Sequence, residues 1–255
     1  NNDERKYFLS LALSKFNIKS IYYYLDYLKF LFYWKKILKE IPIWMFSSYD
    51  EFCKFKNLSI KYKSKVVFLP PLVRSDKIKT NTDNAKVLFL GALNISNNLQ
   101  SVDWYLNKVH DHLTSLKGYE FTIAGRTDDV NNLESKYKSY SHLSFIANPE
   151  SSKILYENHC VFVNPMIYGS GIKLKTVHAL AAGLPVVSTN VGAEGTMMEH
   201  DKDIYITNNP LKFSYYIKYL INNKYKREEF IKNSKSKLKT YYDQKKILTN
   251  LLASI

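Results

Sequence analysis

A chain of 255 residues that is 45% hydrophobic has enough apolar side chains to core one large or two modest domains, which excludes wholesale disorder. Its net charge of +14 comes from 37 lysines and arginines against 23 acids, yet the arginines are only Arg5, Arg74, Arg126 and Arg227. Base-edge readers rely on bidentate arginine, so this balance describes a solvated lysine surface and argues against sequence-specific nucleic-acid binding.

Two cysteines, Cys53 and Cys160, lie far apart with no metal-ligand spacing and read as buried thiols in a reducing cytoplasm. No uncharged apolar run approaches the roughly 18 residues needed to span a bilayer. The chain opens on Asn1, Asn2 and Asp3 without Met or a signal peptide, and is expected to start inside a longer sequence. Residues 5–40 are predicted helical and crowded with lysines and large aromatics. Two readings stay open for them: helices packed in a domain, or an interfacial face whose aromatics sit among lipid headgroups while lysines meet anionic lipid.

Short strands are predicted at 43–46 and 66–69, the second stopped by Pro70 and Pro71, with Ser47 and Ser48 offering caps for a helix between them. Residues 74–85 are polar, lack apolar periodicity and read as a linker. Beyond them a buried strand at 87–90 ends on Gly91. A helix follows, with Leu99, Val102, Leu106, Val109, Leu113 and Leu116 at alternating spacings of three and four. Further strands are predicted at 119–124, 143–146, 161–163 and 185–188, and further helices at 151–159, after Pro210 and along the lysine-rich tail to Ile255. Strands alternating with helices predict an α/β fold with a doubly wound parallel sheet, whose ligands bind beyond the carboxyl ends of the strands.

The densest signal runs from Tyr168 to Gly195. Gly169-Ser170-Gly171-Ile172-Lys173-Leu174-Lys175 leads into a helix, then Gly183-Leu184-Pro185, a strand, and a second glycine loop, Val191-Gly192-Ala193-Glu194-Gly195. Glycines let a backbone approach a ligand, and the helix starting near Leu174 points its free N–H groups and positive dipole end at an anion, beside Lys173 and Lys175. His110 and His112, two apart in a helix, point different ways and make a poor metal pair.

Three pieces, Phe89-Leu-Gly-Ala-Leu93 followed by Asn97-Asn98 and Asp103-Trp104, Thr122-Ile-Ala-Gly-Arg126, and the stretch from Gly169 to Gly195, resemble the carboxyl-terminal domain of group 1 or family 4 glycosyltransferases. That resemblance implies the two-domain GT-B fold, with a Rossmann-like nucleotide-sugar-binding domain at 86–222. It makes 1–73 the closing portion of an acceptor-side domain, partial in this chain, and 223–255 helices that cross back toward it. It implies transfer of a sugar, with retention and without a metal or other cofactor, from a nucleotide diphosphate sugar to a surface polysaccharide or lipid-linked glycan. The location implied is the cytoplasm or the inner face of the membrane.

By the same resemblance the amides near Gly171 and Ile172, with Lys173 and Lys175, hold the diphosphate. Gly91 permits close approach, and Arg126 contacts phosphate or is ordinary surface. The family's acidic pair, eight residues apart, falls here on Ser170 and His178. A neutral imidazole accepts one hydrogen bond where a carboxylate accepts several, so His178 is read either as a ribose contact or as a core histidine with one partner. Glu194 is read as meeting the donor sugar or capping a helix near Met197. The departures at Ser170 and His178 leave a second expectation, a transferase-like subunit that binds nucleotide sugars without turnover.

Overall fold

The computed structural model describes residues 4–14, 17–73 and 83–253. Its amino-terminal part comprises helices α1 (Glu4–Ser14) and α2 (Ile18–Glu40), strand β1 (Ile43–Phe46), helix α3 (Tyr49–Tyr62) and strand β2 (Lys65–Phe68). A capping box starts α2: Asn17 Oδ1 accepts from the Ser20 amide at 3.1 Å, and Ser20 Oγ accepts from the Asn17 amide at 3.3 Å. Strands β1 and β2 pair in parallel, with Ile43 opposite Lys65, so α3 is the crossover of a βαβ unit. Trp44, Phe46 and Phe55 are its buried core, and Trp34 of α2 stacks on Phe55 at 5.1 Å. The aromatic segment therefore has two faces. One packs inward, while Ile18, Ile21, Tyr22, Leu25, Phe32 and Tyr33 are exposed along the other.

The second part begins with β3 (Ala85–Leu90), α4 (Ser96–Lys108), β4 (Tyr119–Gly125), α5 (Val130–Tyr137), β5 (Leu143–Ala147), α6 (Ser152–Glu157) and β6 (Val161–Asn164). It continues with α7 (Leu174–Ala182), β7 (Val186–Ser188), α8 (Asn190–Ala193), β8 (Tyr205–Ile206), α9 (Pro210–Asn222), α10 (Lys224–Tyr241) and α11 (Gln244–Leu252). All six strands are parallel, in the order β5-β4-β3-β6-β7-β8. The predicted doubly wound α/β sheet is what forms. Strand order reverses between β3 and β6, and a crevice opens at such a switch point.

Strand alternation sends Val87 and Phe89 to one face, with Val102, Tyr105 and Leu106 of α4 and Phe213 and Ile217 of α9. Leu88 goes to the other, with Leu155 of α6 and Val177 and Leu180 of α7. Each such fully buried side chain contributes about 1.5–3 kcal/mol, so both faces anchor the strand ends that carry the site. Helix α7 stops at Gly183, whose φ of +89° makes a left-handed cap, and α10 packs alongside, with Lys235 and Ile231 beside that glycine.

Several expectations shift. Residues 74–82 of the predicted linker lie outside the described residues, and Ala85, its last residue, already belongs to β3. Cys160 is buried as expected, but Cys53 is exposed, because α3 turns it away from Phe55. The amphipathic helix predicted through Leu116 ends at Lys108, and a 3-10 turn over His110–His112 carries the chain on.

Candidate donor site at the switch point

After β6 the chain enters the first glycine loop. Gly169 (φ +139°) and Gly171 (φ +73°) occupy conformations that disfavour side chains, and this turns the backbone back into α7. Lys173 is the N-cap of α7 and makes no side-chain cap bond, so the leading amides of the helix face the loop. A buried polar network fixes this geometry. Asn164 Nδ2 donates to Thr176 Oγ1 at 2.9 Å and to the Gly192 carbonyl at 3.0 Å, and Thr176 Oγ1 donates to the same carbonyl at 2.8 Å. The end of β6, the first turn of α7 and the second glycine loop are thereby tied together. A Cβ on Gly192 would lie 2.3 Å from the Asn164 carbonyl oxygen, so only glycine fits there.

The two lysines diverge. Lys173, 6% exposed, donates to the Gly171 carbonyl at 2.7 Å and stands 3.6 Å from the Glu194 carboxylate. Lys175 reaches the other way, to the end of β3, where it donates to Asn98 Oδ1 and lies 4.8 Å from the centre of the Phe89 ring. Burial, with a smaller contribution from like-charged Lys173, pushes its ammonium down to about 7. Gly91 gives the lysine room: a Cβ there would crowd Lys175 Nζ at 3.0 Å and Asn98 Nδ2 at 3.3 Å. Across the next loop Gly91 and Arg126 line a cavity of about 560 Å³ with Asn148 and Pro149. Arg126 itself is exposed.

Ser170 and Ile172 are half-buried on the first loop, and a Cβ on Gly195 would lie 3.0 Å from Ile172 Cα. His178 is not a core histidine. It is exposed on α7 with Leu174, one turn earlier and 45% exposed, because the buried stripe of α7 runs through Val177, Leu180 and Ala181. Desolvation by the adjacent protein holds its pKa below the ordinary imidazole value. Glu194 caps no following helix; it ends α8 and faces Lys173.

Three further residues shape the site without a sequence signature of their own. Asn98 stands inside one of the family-like pieces, which is the signal that could have found it. Asn164 carries none. Asp50 belongs to the amino-terminal part, and its Oδ2 accepts from the Gly195 amide at 3.1 Å, a contact across 145 residues that no local pattern announces. His110 is buried between the Tyr119 hydroxyl and the Ser141 carbonyl, each at 2.9 Å, and among the described residues no cluster of three His, Cys, Asp or Glu side chains could hold a metal.

Residues 84–223 match the family model of glycosyl transferases group 1. The chain belongs to the group 1 glycosyltransferases. The chain is 32% identical over 260 residues to an uncharacterized 44.6 kDa protein in the cps region of Klebsiella pneumoniae, covering 98% of the chain and 66% of that relative. Among solved structures, S. aureus TarM superposes with a TM-score of 0.70 at 16% identity, over 86% of the chain and 45% of TarM. The pneumococcal O-GlcNAc transferase GtfA, in complex with UDP and GlcNAc, gives 0.65 at 15% identity, over 87% of the chain and 46% of GtfA. These GT-B structures share the chain's fold. The chain spans less than two thirds of that curated relative and less than half of each of these two structures.

Proposed function

We propose that the protein containing this chain transfers a sugar from a nucleotide diphosphate sugar to a cell-surface polysaccharide or lipid-linked glycan, with retention and without a metal. The observation that carries this reading is the pair of lysines flanking the amino end of α7 at the switch point, Lys173 on one side and Lys175 on the other. When the glycosidic bond to the diphosphate breaks, negative charge grows on the leaving oxygen. Cations and N–H groups already aimed there stabilise it without reorganisation. In this reading the amides of Gly171 and Ile172 join the lysines on the diphosphate, and Gly91 and Arg126 border the nucleotide at the neighbouring cavity. His178 meets the ribose, and Ser170 and Glu194 lie toward the sugar. The unit at 86–222 serves the donor and residues 1–73 belong to the acceptor side. The cps-region relative supports a polysaccharide product, and the UDP and GlcNAc bound to GtfA support a nucleotide-sugar donor.

The exposed stripe of α2, interleaved with Lys29 and Lys36, suits a peripheral contact at the inner face of a membrane where a lipid-linked acceptor would lie. Among the described residues no helix is long and apolar enough to cross a membrane.

A second reading, a nucleotide-sugar-binding subunit without turnover, is favoured by Ser170 and His178, where the family resemblance expects two acids. Calorimetric titration with a panel of UDP-, GDP- and ADP-sugars, followed by assays of sugar release and transfer, separates the two. Binding with turnover supports the transferase, binding without turnover the subunit, and no binding to any donor removes both.

A further inference from the structure

At the end of β3 a neutral side chain holds one of the two lysines. Asn98, third residue of α4 and 5% exposed, uses both ends of its amide: Nδ2 donates to the Ala92 carbonyl at 2.7 Å, and Oδ1 accepts from Lys175 Nζ. The Ala92 carbonyl accepts only, so it fixes which way the amide faces and leaves the oxygen for the lysine. The face of Phe89 lies 4.8 Å from the ammonium on another side, and Gly91 leaves it just enough room. The lysine is caged by three elements, none of which brings a carboxylate to it.

We infer that Asn98 is a positioning residue of the donor site, whose amide oxygen aims the Lys175 ammonium at the crevice between β3 and β6. The inference rests on the donor reading above. A neutral acceptor suits this position, because an acid would neutralise the lysine permanently, whereas alanine would leave a desolvated cation without an acceptor. The charged group that bears on Lys175 is Lys173, which repels it and is itself faced by Glu194. Burial, and then the like charge of Lys173, hold the Lys175 ammonium down to about 7, so it gives up its proton more readily than an exposed lysine, and an arriving diphosphate would favour the charged form. Donor binding near neutral pH should then be accompanied by proton uptake.

Two measurements on the full chain test this. The first follows the ¹³Cε resonance of Lys175 against pH in the free protein. Asn98→Ala should lower its midpoint by removing the acceptor that favours the charged form, and Asn98→Asp, nearly isosteric, should raise it. The second titrates UDP at pH 7.5 in buffers of different ionisation enthalpy. The wild type should show proton uptake, Asn98→Asp little, and Asn98→Ala about tenfold weaker binding at pH 8.5 than the wild type but a smaller loss at pH 6.5. A Lys175 midpoint unmoved by either substitution would overturn the inference. Failure of UDP to bind the wild type would instead remove the donor reading, while the resonance titration still decides whether Asn98 governs Lys175.

Discussion

The ammonium of Lys173 lies 3.6 Å from the carboxylate of Glu194, an ion pair that joins the first glycine loop to the second at the mouth of α7. With 6% of the lysine side chain exposed, the contact is shielded from solvent screening. In the proposed donor reading, an incoming diphosphate would compete with Glu194 for the same charge.

Lys173→Gln keeps the length of the side chain approximately but removes the charge. A charge-assisted hydrogen bond is worth about 1.5–3 kcal/mol, so UDP affinity should fall roughly 10- to 100-fold by calorimetry. Unchanged affinity would move the diphosphate away from this lysine.

Lys175→Met should separate stability from binding. The ammonium sits near 7 in the folded chain against 10.5 ordinarily, so between those values the unfolded chain binds more protons and the folded state gains stability as pH rises. Removing the amine relieves that cost. Thermal unfolding of the variant should come at a higher temperature than the wild type at pH 7, with the gain fading toward pH 10, while UDP affinity falls at least about tenfold.

His178→Glu restores an acceptor of several hydrogen bonds at an exposed position of α7. Nucleotide affinity should rise, and stability should change by no more than about 0.5 kcal/mol, as is usual for a surface substitution. Equal or weaker nucleotide binding in calorimetry would count against a ribose-facing histidine.

Acid should weaken the fold through two buried histidines. His159 donates from Nδ1 to the Leu155 carbonyl at 2.5 Å and accepts at Nε2 from Thr122 Oγ1 at 2.7 Å, while His110 lies between the Ser141 carbonyl and the Tyr119 hydroxyl. Burial lowers both pKa values below the ordinary 6.5. Their stabilisation is complete above the unfolded value and is lost as pH falls from about 6.5 toward the folded values. The unfolding midpoint should therefore drop between pH 7.5 and 5.5, and His159→Gln should shrink that drop. A midpoint that stays flat over this range would refute the assignment.

What sequence reasoning reaches follows from what is local. The run from Gly169 to Gly195 carries its own order of loop, helix, strand and loop; the first three form where the pattern puts them, but the second loop opens as the short helix α8, capped by the Thr189 hydroxyl accepting from the Gly192 amide. Helix α5 escapes such reasoning because its eight residues bury only Leu133 and Tyr137, one spacing of four, which is too little to register as a period. Strand β8, two residues long, offers less. Of the two readings of His178, the core one fails: a helical wheel groups it with Leu174, Val177 and Ala181, whereas packing of α7 against α6 and α10 leaves its edge, with Leu174, open. Asn98 and Lys175 are 77 residues apart, and no spacing rule links a helix start to a lysine on another helix. Gly125 shows the same limit. It reads as a strand-end glycine, but the reason for it is the Gly91 carbonyl oxygen, which a Cβ would approach to 1.8 Å.

The Asp50 carboxylate on the Gly195 amide bears on how this chain could be recombined. A chimera that grafts the unit at 84–223 onto a different amino-terminal part would carry every glycine and lysine of the cradle, yet would leave that amide without its acceptor unless the new partner supplied an acid at the same place. Position 50 is therefore a junction residue to transplant together with the unit at 84–223.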